Sequence, residues 1–91
     1  MGTKKVKYNE SGIQDLPNNK PVFYRIETKA GNLNYVGIAQ RGRVRDRIKE
    51  HIGKIPGATV RIEQFDHIAD ARKKETSIIE RNKPKYNDQG K

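Results

Sequence analysis

The sequence predicts an α+β fold: a small three-stranded antiparallel sheet flanked by helices, with the element order ββαβα. In two neighbouring segments apolar and polar residues alternate, and a Gly-Asn pair lies between them, which is typical of a β-hairpin. In two later segments apolar residues recur at spacings of three and four, which is typical of amphipathic helices. The 91 residues suffice for one domain and not for two.

The composition excludes several classes of protein. Twenty Lys and Arg stand against 11 Asp and Glu, a net charge of +9, and there is no cysteine. Without cysteine the chain has no disulfide scaffold, no thiolate zinc site and no cysteine nucleophile. No segment is apolar enough for a membrane span or a secretory signal. We therefore expect a soluble, cytoplasmic protein, with a thin core because Leu, Ile, Val and Phe together number only 19.

The first 21 residues are predicted to form a polar arm, and residues 22–91 the folded domain. The arm ends in Pro17 and Pro21, with a turn-forming Asn-Asn pair between them. We expect it to pack loosely, because it has few apolar residues to anchor it. These are Val6, Tyr8, Ile13 and Leu16.

The predicted hairpin consists of residues 22–27 and 33–39. Tyr24 and Tyr35 lie one on each strand, where a tyrosine is commonly a core residue whose hydroxyl reaches water. Gly37 interrupts the second strand, and a glycine there usually marks a bulge or the close approach of another backbone or a ligand. Paired tyrosines beside a glycine would provide phenol groups and room for a phosphate.

The first predicted helix carries a narrow apolar stripe and stops at a glycine. Arg47 and His51 are four residues apart, so they lie one above the other at the border of this stripe. Such a position suits a cleft between core and solvent, although a phosphate contact by Arg47 and a surface position for His51 are simpler interpretations. The stripe consists of Val44, Ile48 and Ile52.

The second helix follows a third strand over residues 59–65, begins after an N-cap at Asp66 and continues to about residue 81. On a helical wheel Glu75 falls in the middle of the apolar face. An unpaired charge buried there costs several kcal/mol, so Glu75 must pair with a cation, bind a metal or face an open cleft. The apolar neighbours are Ile68, Ala71, Ile78 and Ile79.

The positive charge is concentrated in residues 41–54 and 81–91. A clustered excess of this kind favours binding to a polyanion, and nucleic acid is the large polyanion of a cytoplasm. The alternative is that the charge only keeps a small protein in solution. The residues predicted to contact nucleic acid are Arg41, Arg43, Arg45, Lys49, Lys83 and Lys85.

Taken together, these segments resemble the GIY-YIG endonuclease family. Val22-Phe23-Tyr24 is similar to the first motif of that family and Tyr35-Val36-Gly37 to the second. The segment from Arg47 to His51 resembles its arginine helix. Residues 75–79 resemble the metal-binding glutamate with an apolar pair behind it, and residues 84–87 the closing Pro-Lys-Tyr-Asn. The resemblance extends over residues 22–87.

The sequence departs from the family pattern in two places. Val22 stands where the first motif has glycine. The interval between Gly37 and Arg47 is about two residues longer than in many relatives, so Arg45 competes for the part of the essential arginine. Arg47 is preferred because it keeps the spacing to His51.

The resemblance implies metal-dependent hydrolysis of phosphodiester bonds in DNA. Glu75 would hold Mg²⁺, or Mn²⁺, through a carboxylate oxygen, with water and phosphate completing the coordination. Arg47 would bind the scissile phosphate and stabilise the transition state.

The resemblance also implies roles for the remaining residues. A tyrosine, Tyr35 in the first place and Tyr24 in the second, would deprotonate the attacking water once a nearby cation lowers its pKa. His51 would assist by relaying a proton. Gly37 and Asn87 would be structural, with Asn87 tying the tail to the sheet.

Other functions stay open at this point. A non-catalytic nucleic-acid-binding module could use the same basic surface, and a toxin-like or ribosome-associated protein would bind RNA instead of DNA. Nothing in the sequence resembles a sequence-reading helix or finger. Specificity would therefore come from nucleic-acid shape, from a protein partner or from formation of a homodimer.

Overall fold

The computed structural model describes residues 3–84, which form four strands and three helices. The strands are β1 (Thr3–Lys7), β2 (Val22–Glu27), β3 (Leu33–Ala39) and β4 (Thr59–Gln64). The helices are α1 (Glu10–Gln14), α2 (Val44–Lys49) and α3 (Ile68–Asn82). Among the described residues, no helix combines the length and the apolar character needed to cross a membrane.

All four strands join one antiparallel sheet in the spatial order β1-β4-β2-β3. The strands and helices predicted after residue 21 are present, but the prediction of a three-stranded sheet with the order ββαβα is wrong. The observed order is βαββαβα, because the N-terminal segment contributes β1 to the free side of β4 and adds α1.

The N-terminal segment is packed, against the expectation of a loose arm. Ile13 and Leu16 have no exposed surface and belong to the main core. β1 has the sequence TKKVK, with Val6 as its one apolar residue, so its strand form depends on backbone pairing with β4. Lysines are common on such edge strands because they discourage pairing with other chains. α1 is started by Asn9, whose side chain accepts a hydrogen bond from the backbone N–H of Gly12.

The sheet separates two apolar cores. The core on one face is closed by α1 and α2, and the core on the other face by α3. The first contains Ile13, Leu16, Val22, Tyr24, Ile26, Ala39, Val44, Ile48, Val60 and Ile62. The second contains Phe23, Val36, Ala71 and Ile78.

α2 is shorter than the predicted helix. It ends at Lys49, and the backbone then makes turns up to Gly53, whose φ of 88° is left-handed. Ile52 lies in these turns and is 36% exposed, so only Val44 and Ile48 of the predicted stripe reach the core. His51 therefore follows the helix instead of lying on it.

α3 begins two residues after the predicted cap. Its N-cap is His67, which is extended and makes no capping hydrogen bond through its side chain. Asp66 instead pairs with Lys20, with 3.3 Å between Nζ and Oδ1. The helix ends at Lys83, whose φ of 45° is left-handed.

Candidate active site

A cleft of about 450 Å³ opens at the outer edge of β3, where α2 and α3 come together from opposite faces of the sheet. Arg43 and Arg47 line it from the α2 side, and Arg72 and Glu75 from the α3 side. Residues 38–40, at the end of β3, line the rest of the cleft together with the apolar start of α3. Three guanidinium groups around one carboxylate suit a ligand that brings negative charge, such as a phosphate ester.

Two tyrosines and a histidine form a cluster beside this cleft. Tyr24 Oη lies 2.8 Å from His51 Nε2, and Tyr24 also hydrogen-bonds Tyr35. The ring centroids of Tyr35 and His51 are 4.6 Å apart. The charges of Arg47 and Glu75 act on both tyrosines, so the cluster and the cleft are parts of one site.

Gly37 allows this cluster to form. It pairs with Tyr24 across the hairpin, and a Cβ at Gly37 would lie 2.6 Å from Cζ and Oη of Tyr24. Any larger residue would therefore push the Tyr24 ring away from His51. The space that the glycine leaves is filled by the Tyr24 side chain and not by a ligand.

The surroundings of the tyrosines raise their pKa values. Burial is the largest cause for Tyr24, and the neighbouring Tyr35 adds to it. Burial and the negative charge of Glu75 raise the pKa of Tyr35, while Arg47 and the hydrogen bond that Tyr24 can donate to an ionised Tyr35 oxygen lower it by less. Arg47 lowers the pKa of both tyrosines, as expected of a nearby cation, but burial outweighs its effect.

His51 is shifted in the opposite sense. Burial, followed by the positive charge of Arg47, lowers the pKa of its imidazole below the usual 6.5. His51 is therefore neutral at pH 7, and its Nε2 can accept the proton of the Tyr24 hydroxyl. In this cluster the group best able to take a proton is the histidine.

The two competing arginines lie in different places. Arg47 lines the cleft and also contacts Glu50, with 3.7 Å between Nη1 and Oε1. Arg45 points away: its Nε donates a 2.8 Å hydrogen bond to the backbone carbonyl of Leu16. Arg45 therefore fastens the segment after α1 to α2, and the geometry favours Arg47 for contact with a phosphate.

Glu75 is the acidic residue among those lining the cleft. It is half-buried on α3, on the side that faces β3, as the helical wheel predicts. Among residues 3–84 no group of three or more His, Asp and Glu side chains could hold a metal ion. A single carboxylate fits Mg²⁺ in one way, as a ligand of an ion that keeps waters and shares substrate phosphate oxygens.

No family model matches this chain, and no curated protein matches it significantly. The resemblance described above therefore depends on the motif residues and their arrangement.

The other predicted contact residues divide between cleft and surroundings. Arg43 lines the cleft, whereas Arg41, Lys49 and Lys83 do not. Lys83 instead closes α3, with its backbone N–H donating to the carbonyl of Ile79. Lys85 and Asn87 lie outside the described residues.

The sequence analysis did not identify Arg72 as part of the site. Arg72 lies three residues before Glu75, so both occupy the same side of α3. The same helical wheel that singled out Glu75 could have found it, because it places Arg72 at the edge of the apolar stripe, on the same side of the helix as the carboxylate.

Proposed function

We propose that this chain is a divalent-metal-dependent endonuclease that hydrolyses phosphodiester bonds in DNA. The observation that carries the proposal is the meeting of Arg47 and Glu75 across one cleft, beside the hydrogen-bonded Tyr24 and His51. A cation for the phosphate, a carboxylate for a metal and a chain of proton-transfer groups are what phosphodiester hydrolysis requires.

In the proposed mechanism the arginines bind the substrate. Arg47 bonds the non-bridging oxygens of the scissile phosphate and stabilises the charge that develops there, and Arg43 and Arg72 hold the adjoining backbone. Glu75 would hold the Mg²⁺ ion, which supplies Lewis-acid stabilisation of the same charge. The cleft has room for the substrate to complete the ion's coordination.

The attacking water gives its proton to the tyrosine–histidine cluster. Tyr35 is the outer member, half-buried, and Tyr24 connects it to His51. The water proton passes to the Tyr35 hydroxyl as Tyr35 passes its own proton to Tyr24 and Tyr24 to His51 Nε2. No tyrosine has to ionise in this relay, which agrees with the raised pKa of both phenols. The imidazolium later returns its proton to solvent, and the leaving oxygen is protonated there.

The rival function is a non-catalytic nucleic-acid-binding module with the same surface. The raised tyrosine pKa values favour it, because they remove the phenolate that a tyrosine base would need. Glu75 argues against this function, because a carboxylate among three arginines weakens the binding of a phosphate unless the carboxylate holds a metal ion. RNA remains an alternative substrate, and a double-strand cut would require two copies of the chain.

The test compares Glu75→Gln with Glu80→Gln, the same change at an exposed position of α3. Branched, nicked and linear DNA and RNA are incubated with each variant, with Mg²⁺, with Mn²⁺ and with EDTA. Cleavage by Glu75→Gln should fall by a factor on the order of 10³ while DNA binding persists, because only the metal ligand is lost. Glu80→Gln should cleave like the unchanged protein.

Thermal unfolding of both variants decides between catalysis and structure. Retained cleavage by a folded Glu75→Gln protein would contradict the proposal. Unfolding of that variant would instead indicate a structural ion pair at Glu75, and DNA binding without cleavage by the unchanged protein would favour the rival function.

A further inference from the structure

A second basic surface lies on the sheet face that α3 only partly covers. α3 packs on β3 and β2, so β4 and β1 are largely open on this side. Lys5, Arg61 and Arg25 are register partners on β1, β4 and β2 and form one line across the sheet. We call these three residues the basic row. They lie in a groove of about 370 Å³.

The basic row has too few carboxylates for its cations. Glu27 approaches Arg61 at 3.7 Å, and Glu63, the acidic residue among those lining the groove, pairs with Lys74 of α3 at 3.2 Å. Within residues 3–84 no carboxylate pairs with Lys5 or Arg25. Like charges directly opposite on neighbouring strands destabilise a sheet, so three in succession need a partner that supplies negative charge.

Two of the cations are held in position before any partner arrives. The Arg25 guanidinium lies over the ring of buried Phe23, 5.4 Å from the ring centroid. The Arg61 side chain is tethered by Glu27 and is still 44% exposed. Side chains that are already ordered lose less conformational freedom on binding, and planar guanidinium groups match phosphate oxygens.

We propose that the basic row is a second phosphate-binding site. It lies apart from the cleft and binds the backbone of the same nucleic-acid molecule. The proposal rests on the proposed function in taking nucleic acid as the ligand. Two interstrand spacings separate the ends of the row, roughly 9.5 Å. Neighbouring phosphates along one strand are closer together than that length. The row can therefore contact successive phosphates of one strand.

A nucleic acid fits this surface better than a lipid membrane does. Proteins that bind a membrane surface usually insert apolar side chains beside their cations. The single large exposed apolar residue among residues 3–84 is Ile52, in the turns after α2, which is on the other face of the sheet. The groove of the basic row is lined mainly by charged side chains, and its two apolar lining residues, Phe23 and Ile62, are buried.

The second site would lengthen the contact between this small domain and its substrate. α3 stands between the two surfaces: Arg72 and Glu75 line the cleft, while Lys74 pairs with Glu63 at the groove. A helix with its side chains is about 10–12 Å wide, so one nucleic-acid molecule can reach both surfaces. The cleft then acts on the phosphate, and the basic row adds affinity without sequence preference.

The test removes the three charges of the row together, as Lys5→Gln, Arg25→Gln and Arg61→Gln. The control protein, with Lys20→Gln, Lys29→Gln and Lys54→Gln, loses the same charge at exposed positions outside the row and its groove. Both carry Glu75→Gln, and binding of a labelled linear duplex is measured in EDTA over a range of salt concentrations. No cleavage is needed for this measurement.

The row variant should bind DNA roughly tenfold more weakly, and the slope of log K against log salt should fall by about 2.7, or 0.9 for each lost contact. The control should change far less. Equal effects of the two proteins, or no effect of the row variant, would overturn the proposal.

Two further measurements complete the test. If the triple variant unfolds, Lys5→Gln with Arg25→Gln leaves the Arg61–Glu27 pair intact and should lower the slope by about 1.8. Loss of binding to phosphatidylserine vesicles with unchanged DNA affinity would overturn the proposal in favour of a membrane. Absence of cleavage by the unchanged protein would contradict the proposed nuclease activity. It would not affect the proposal for the basic row, which is judged from the salt dependence of DNA binding.

Discussion

The cleft and the basic row carry similar positive charge and differ in what surrounds it. Each has cations that reach into a groove, but the cleft adds Glu75 and adjoins the Tyr24–His51 hydrogen bond. The row is flanked by Glu27 and Glu63, and both of these are engaged with cations of the sheet or of α3. The difference indicates that charge alone supplies affinity, and that chemistry depends on the few groups around it.

The largest expected effect separates the two surfaces directly. Arg47→Ala should lower kcat for DNA cleavage by a factor on the order of 10²–10³, because the transition state loses its charged donor. Arg25→Ala should leave kcat unchanged and raise KM, because this arginine holds only the backbone. Cleavage kinetics in Mg²⁺ over a range of DNA concentrations measure both constants. A lower kcat in Arg25→Ala would contradict the view that the cleft is responsible for catalysis and the basic row only for binding.

From the sequence alone Glu75, the hairpin and α3 could be singled out, whereas β1 could not. Glu75 stands out because a carboxylate on an apolar helix face is costly, and that physical argument needs no knowledge of the neighbours. The hairpin and α3 follow from periodicity in the same way. β1 could not be found like this, since TKKVK has no apolar period and forms a strand only because β4 offers it an edge.

Tertiary packing decided the points that sequence left open or misjudged. In the sequence Arg47 is preferred to Arg45 only for its spacing to His51, whereas the hydrogen bond to the carbonyl of Leu16 shows that Arg45 is engaged elsewhere. A nearby cation was expected to lower the pKa of Tyr24, but burial in the core has the larger effect and raises it. Burial depends on what covers a residue, and α1, which helps to close this core, was itself not predicted.

The second prediction concerns the pH dependence of the cleft chemistry. Because the pKa of His51 is lowered from 6.5, cleavage should be constant near neutral pH and fall about tenfold per pH unit once the pH drops below the His51 pKa. Tyr24→Phe should lower the rate roughly 10²-fold by interrupting the relay. Tyr8→Phe is the control: its hydroxyl donates to the Ile55 carbonyl at 2.8 Å, far from the cleft, and its loss should leave the rate unchanged.

The acid limb must be separated from acid unfolding. The unfolded chain takes up the His51 proton at a higher pH than the folded protein does. Its contribution to the free energy of unfolding is therefore complete above pH 6.5 and is lost as the pH falls through the lower, folded-state pKa. Circular dichroism at each pH shows which part of the profile is catalytic. A rate that keeps rising above pH 9 would indicate a tyrosine base instead.

The smallest expected effect tests whether the positive charges of the basic row lower the stability of the fold. Lys5→Glu places a carboxylate opposite Arg61, so the free energy of unfolding should rise by about 0.2–1 kcal/mol while DNA affinity falls. Lys7→Glu is the matched control on the same strand, because its register partner is the uncharged Thr59. Urea unfolding and DNA binding are measured for both variants. If Lys5→Glu alone becomes more stable and binds DNA more weakly, the three cations lie together for their ligand. The fold would then be more stable without this cluster of positive charge. A loss of stability in Lys5→Glu would instead show that the basic row contributes to the packing of the fold. It would then share its positive charge with the cleft, but not a role in binding.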